Sequence, residues 1–507
     1  MPKPTGRRAK PSKSKAVEQQ RCETQEEFYE RAIQLEEQAE RWILSDVVKS
    51  LRFYSQAYTA YEQGLFAREP TDNDTYNILY NQSRLLLKVF SEYRAADDYI
   101  DLLSYVNLDA VPEASSILLP LPAIVSKFEA AVARFPEKCG WDLYFNLLTC
   151  FLMYLEAADE VPEFETSYAR FEAMAYELLQ RMQREIESLE PLQAKEEDLP
   201  PSGEQPAVAS MESSTTETVE MMDSASPQGL ADSLVLIYRA VQLALEAALD
   251  GARFSLPDPD IRNRLLLSAS RLRNNVEGAH SFACGLAGAD TKELRLARHS
   301  LECLDALLAT DLARFEALMQ SADPADIDAQ LCNVDLLQTA TTYIQDLDTC
   351  WKLCGLLDRT LRTCQELLTA ERSRIISTQS DLHRLSPTVF RLCDVLTSRA
   401  DNDVHRLYIQ KQGAAETGVL RILYKNARTL LGNSAAFAQK SCGFREYVTD
   451  KLKRNYVYHQ AQRRLLFFDG QGGEATEAHT AVHEVMLQQP YYCVLPSAEL
   501  QAMADSG

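Results

Sequence analysis

The sequence predicts an all-α protein, and three observations carry that expectation. Gly and Pro are scarce, 18 and 20 of 507 residues, fewer than turn-rich β folds need for punctuation. Apolar residues recur at helical spacing: Leu294, Ala297, Leu301, Leu304, Leu308, Leu312 and Phe315 fall three or four apart, on one face of a helix. Between residues 231 and 469 only four prolines interrupt such patterns: Pro257, Pro259, Pro324 and Pro387. Hydrophobic residues make up 46% and charged residues 25%, so there is apolar material for a sizeable core.

The chain divides by composition. Residues 1–24 form a basic tail rich in Lys, Arg, Pro and Ser, read as disordered. A first helical domain is expected over 25–182. Residues 183–229 form an acidic Ser/Thr/Pro-rich linker: from 185 to 232 there are twelve acidic residues against Lys195 alone, too polar to offset the entropy of ordering. A second helical domain follows over 230–469, and 470–507 is a mixed tail with a short apolar stretch at 491–495. The longest apolar stretch, 147–155, is far short of the ~20 residues a membrane span needs. No apolar segment follows the basic N-terminus, so the twelve cysteines read as reduced thiols of the cytoplasm and/or nucleus.

One register suggests repeats. Ser50, Tyr54 and Ala57 place small, aromatic and small residues on one face of a helix. Small residues two turns apart let a partner helix approach, and the aromatic between them fills the groove. Ser45 and Asp46 precede them as a tight turn, with Asp46 able to cap the second helix. Pro70 is followed by Tyr76, Leu79 and Ser83 at helical spacing. This arrangement resembles a tetratricopeptide unit and the opening of the next one, and it is most similar to the degenerate tetratricopeptide proteins found in fungi. Two features depart from that pattern. Pro70 lies 13 residues after Ala57 where the pattern has about five, which lengthens the second helix by ~12 Å. The usual glycine at the helix contact is missing, and Tyr80 stands near its place. Residues 144–155 resemble another repeat's first helix. Residues 78–87 match 422–431 at six of ten positions, through either a second array or coincidence between Leu-rich helices. The resemblance implies stacked helix pairs around a groove that holds a partner's peptide or helix. It transfers no groove residue, because the Lys, Arg and Asn set of the carboxylate-clamp members is not found.

No motif for chemistry stands out. There is no Gly-rich phosphate loop, nucleophile elbow or kinase set. His479 and His483 lie four apart, but Thr480 stands where a zinc protease needs Glu. Cys350 and Cys354 could share a helix face, with no second pair at zinc-finger spacing. With Cys332, Cys364 and Cys393 they read as buried small hydrophobes. No catalytic residue, cofactor or metal is expected.

A net charge of −22 argues against a general polyanion-binding surface, yet two basic patches stand out. Arg7, Arg8, Lys10, Lys13 and Lys15 suit a nuclear-import signal, a ribosome or RNA contact, or a solubilising tail. Over 445–464, Arg445, Lys451, Lys453, Arg454, Arg463 and Arg464 alternate with Tyr447, Tyr456 and Tyr458, a pattern shared by base-stacking surfaces and by helices with cationic exteriors. The expected function is a non-catalytic protein-interaction scaffold or adaptor, with other proteins as partners, no membrane and no primary nucleic-acid role. Two alternatives are an acidic chaperone for histones or another basic client, and an RNA- or ribosome-associated factor using 445–464.

Overall fold

Each helix start is written in the local sequence. Thr24 and Glu27 form a reciprocal capping box that opens α1 (Gln25–Ile43). Asp46 accepts from the Lys49 N–H at 2.9 Å and opens α2 (Val47–Leu65), as expected from the turn at 45–46. Thr71 caps α3 (Asp72–Val89) in the same way. The structure, a computed structural model, describes residues 22–96, 100–157, 161–197, 225–249, 259–286, 290–413, 417–440, 442–443, 446–470, 477–495 and 502. Among the described residues there are sixteen α-helices and no strand, so the all-α expectation holds.

The α1–α2 pair shows why the register works. Ser50, Tyr54 and Ala57 are fully buried. The Ser50 hydroxyl donates to the Ala39 carbonyl at 2.9 Å, and Tyr93 donates to Ser50 at 3.0 Å. The small face continues one heptad further, to Gly64. A Cβ there would lie 2.9 Å from Ile78 Cδ1 and 3.1 Å from Phe28 Cβ. The glycine missing from the third helix is thus supplied by the over-long second one. A π-turn at Phe90–Arg94 and three 3-10 turns, ending at Pro112–Ser116, then lead to α4 (Leu121–Arg134).

The remaining helices are α5 (Trp141–Glu156), α6 (Val161–Glu197), α7 (Pro227–Leu249), α8 (Pro259–Gly285), α9 (Lys292–Leu308), α10 (Leu312–Ser321), α11 (Ile327–Tyr343), α12 (Leu347–Thr378), α13 (Leu385–Gln412), α14 (Thr417–Ala438), α15 (Val448–Phe468) and α16 (Glu477–Gln488). Two sequence expectations need correction. Helix α6 runs to Glu197, into the stretch expected to be linker from 183. Its Glu, Gln, Leu and Arg residues are good helix formers and extend a helix already anchored by the buried Phe171, Leu178 and Met182. The apolar face over 294–315 belongs to two helices, not one. Thr310 adopts φ +55°, the Asp311 N–H returns to the Ala306 carbonyl at 2.8 Å, and Asp311 caps α10.

The helices pack largely as successive antiparallel pairs, and α1, α3, α5, α7 and α9 each touch the next odd-numbered helix. They form one continuous wall. A single hydrophobic core runs from Ala32 to Leu396, through residues on both sides of the acidic stretch, and a second runs from Ala400 to Leu495. The array also closes on itself. The Val448 N–H donates to the Leu44 carbonyl at 3.0 Å, and Phe390, Leu452 and Tyr456 cover Ala96, Ile100 and Leu102. The matching segments 78–87 and 422–431 bury different faces: Ile78 is fully buried, whereas Ile422 is 59% exposed.

Two substitutions test this packing by urea unfolding. Gly64→Leu overfills the α1–α2–α3 contact and lowers stability by about 1–3 kcal/mol. At Tyr54, whose buried hydroxyl has no partner, Phe is neutral or stabilising, whereas Asp unfolds the pair. A Tyr54→Phe variant as unstable as Tyr54→Asp contradicts this packing.

Candidate functional site

The residues singled out from the repeat pattern are packing residues. Ser50, Tyr54 and Ala57 are inaccessible; Leu79 is partly buried against the core. Tyr76 stacks on Tyr80 with ring centroids 6.3 Å apart, and its oxygen accepts from the Gly140 N–H at 3.5 Å. These side chains hold helices together and do not form a binding surface.

The basic stretch 445–464 does not form one cationic face. Arg454 is buried: it grips Glu446 through two nitrogens, at 2.5 and 2.7 Å, and donates to the Lys440 carbonyl at 2.8 Å. Arg464 is buried too, in a bidentate pair with Asp401 at 2.8 and 2.9 Å, and Tyr492 donates to the same carboxylate at 2.7 Å. Arg463 pairs with Glu484 at 2.7 Å, while Lys451 is exposed. The reason is spacing: residues 454 and 464 fall on the face of α15 that packs against α13 and α14, so their charges are matched internally. Arg445 and the import-like Arg7, Arg8, Lys10, Lys13 and Lys15 lie outside the described residues.

A different set of side chains converges. Asp335 of α11 feels the charges of Asp394 on α13 and Glu246 on α7. Asp394 in turn acts on Tyr456 of α15, which also feels Tyr105 from the 3-10 turn Leu102–Tyr105. Residues of α7, α11, α13 and α15 are thus close enough for their charges to act on one another. The carboxyl groups of Asp335 and Asp394 reach solvent. Even so, crowding by the surrounding helices dehydrates them. Dehydration, then the charges of Asp394 and Glu246, pushes Asp335 up to about 7. Dehydration pushes Asp394 up to about 6, with Arg464 opposing and Asp401 adding to the rise. Arg464 itself is bound to Asp401 and does not pair with Asp394. Among the described residues neither Asp335 nor Asp394 sits in an ion pair. Such a surface is suited to taking up cations.

No sequence signal marked these two among 74 acidic residues. What distinguishes them is the meeting of α7, α11, α13 and α15, which is a property of the folded chain.

The raised acidities have a direct consequence. Folded Asp335 binds its proton near pH 7, whereas an unfolded Asp does so only near ~3.9. Between those values folding takes up a proton, so this group's contribution to stability falls as pH rises and is lowest above pH 7. Asp335→Asn therefore melts higher than the parent at pH 8, and the gap narrows toward pH 5. A gap independent of pH contradicts the assignment.

The comparisons with known proteins agree on one relationship. Residues 320–496 match the family described as the YNL193W C-terminal domain, a segment that contains Asp335, Asp394, Tyr456 and Arg464. Over 513 residues the chain is 33% identical to the uncharacterized protein YNL193W of Saccharomyces cerevisiae, across 89% of this chain and 90% of that protein. The chain therefore belongs to the family of the yeast protein YNL193W.

Proposed function

We propose that this chain is a non-catalytic protein-interaction scaffold that holds, at Asp335 and Asp394, a partner segment bearing Lys or Arg side chains. The observation that carries the reading is that Asp335 and Asp394 feel one another's charge, are partly dehydrated although exposed, and have no ion-pair partner among the described residues. A bound cation relieves both the dehydration and the mutual repulsion, so those penalties become binding energy. The continuous wall of odd-numbered helices supports a tetratricopeptide-like description, and it suggests that the array extends past residue 182. The acidic stretch 183–229 favours the basic-client form of this reading, since it adds long-range attraction for a cationic partner. The RNA-associated alternative has weaker support, because Arg454 and Arg464 are committed to Glu446 and Asp401.

A protein partner in the cytoplasm or nucleus fits twelve cysteines, none of them in a disulfide among the described residues. No helix among the described residues is long and apolar enough to cross a membrane.

The test is site-specific photocrosslinking in cells. A crosslinking residue beside Asp335 captures a defined protein partner, and one at the exposed Lys451 does not. Capture weakens as salt rises and disappears in Asp335→Lys/Asp394→Lys. Capture that survives the charge reversal but is lost on deleting 198–224 assigns binding to the acidic stretch instead. Capture of RNA that depends on Lys451 favours the RNA reading.

A further inference from the structure

Helix α12 carries Cys350 and Cys354 one turn apart, and α13 brings His405 against both. The Cys350 sulfur lies 3.8 Å from His405 Nε2, and the Cys354 sulfur 3.8 Å from Nδ1. One ligand atom from each of the three residues lies within 4.8 Å of the others. Both thiols are buried, while His405 is partly open to solvent. The surroundings hold the group in place. The imidazole stacks face to face on Tyr491, with ring centroids 4.5 Å apart and planes within 4°. Asn402 donates to the Cys354 carbonyl at 3.0 Å and fixes α13 against α12. The Arg406 guanidinium caps the Trp351 ring at 4.6 Å.

We propose that Cys350, Cys354 and His405 bind a Zn2+ ion, with water in the fourth position. Two thiolates and one imidazole are the ligand types this ion prefers. Zn–S and Zn–N bonds of about 2.3 and 2.0 Å at a tetrahedral angle leave ligand atoms about 3.5 Å apart, so the observed spacing needs only a small contraction. One ring nitrogen takes the metal. Two thiolates neutralise the dication, which suits a site closed on the sulfur side, and His405 lies on the side that water can reach. A disulfide fits poorly: residues four apart on a helix have Cβ atoms about 5–6 Å apart, beyond the ~4.5 Å limit of the bond. The ion would pin α12 to α13 and, through the Tyr491 stack, to the segment after α16. The sequence expectation of buried small hydrophobes overlooked the site because its third ligand is 51 residues away on the next helix.

The full-length chain, expressed without a histidine tag and purified reduced, is analysed by metal mass spectrometry and then loaded with Co2+. The exposed His479 and His483 on α16 are removed in a control, His479→Ala/His483→Ala. The expected result is one Zn2+ per chain, retained in that control and lost in Cys350→Ser/Cys354→Ser and in His405→Gln. Co2+ produces a thiolate charge-transfer band, and Zn2+ shields both thiols from alkylation in the unaltered chain, a readout that does not depend on the variants folding. Zn2+ that disappears with His479 and His483, or an unaltered chain that gives no thiolate–Co2+ band and no shielding, overturns the proposal.

Discussion

Every helix in this chain presents an apolar stripe that only its neighbours can cover, and the closeness of that cover sets the architecture. One point of close approach is the small face of α2, where Ser50, Ala57 and Gly64 succeed one another at heptad spacing. Small side chains there bring α1 and α3 near enough for Leu35, Leu51, Tyr61 and Ile78 to lose all or nearly all contact with water. Burial of that kind contributes about 25 cal/mol for each Å² removed. Because each pair leaves one flank open, the next pair must cover it, and the core propagates from Ala32 to Leu396 without a break.

Propagation alone would leave a solenoid with two open ends. Here the turn after α1 and the irregular segment after α3 dock on α13 and α15, so the ends meet. The C-terminal part is fastened by a polar device, the Arg464–Asp401–Tyr492 group linking α15, α13 and the last 3-10 turn. Its hydrogen bonds satisfy both charges, which is the condition under which a buried ion pair is tolerable. The packing of α11 and α13 against their neighbours also crowds Asp335 and Asp394, which raises both carboxyl groups above the usual range. The same α12–α13 packing brings His405 to Cys350 and Cys354. The proposed interaction surface and the proposed metal site thus both depend on how α13 packs against its neighbours.

Legibility in the sequence tracked how local each cause was. Helix class, the Asp46 cap, the 50–54–57 register and the over-long α2 were readable because their causes act within one or two turns. The break at Thr310 was missed because a left-handed residue leaves the apolar spacing on either side intact. The extension of α6 was missed because acidity was weighted above helix propensity. Arg454 and Arg464 looked like surface cations because charge patterning does not reveal which face of α15 meets α13.

The sequence by itself determined an all-helical chain with closely packed first helices, since periodicity, capping and residue size are properties of neighbouring positions. Only the tertiary structure decided which charges are matched and which are left without an ion-pair partner. It also decided that two cysteines one turn apart acquire a histidine. Those outcomes depend on side chains such as Cys354 and His405, 51 residues apart, and Asp401 and Tyr492, 91 apart, meeting in space, and no local pattern encodes that distance.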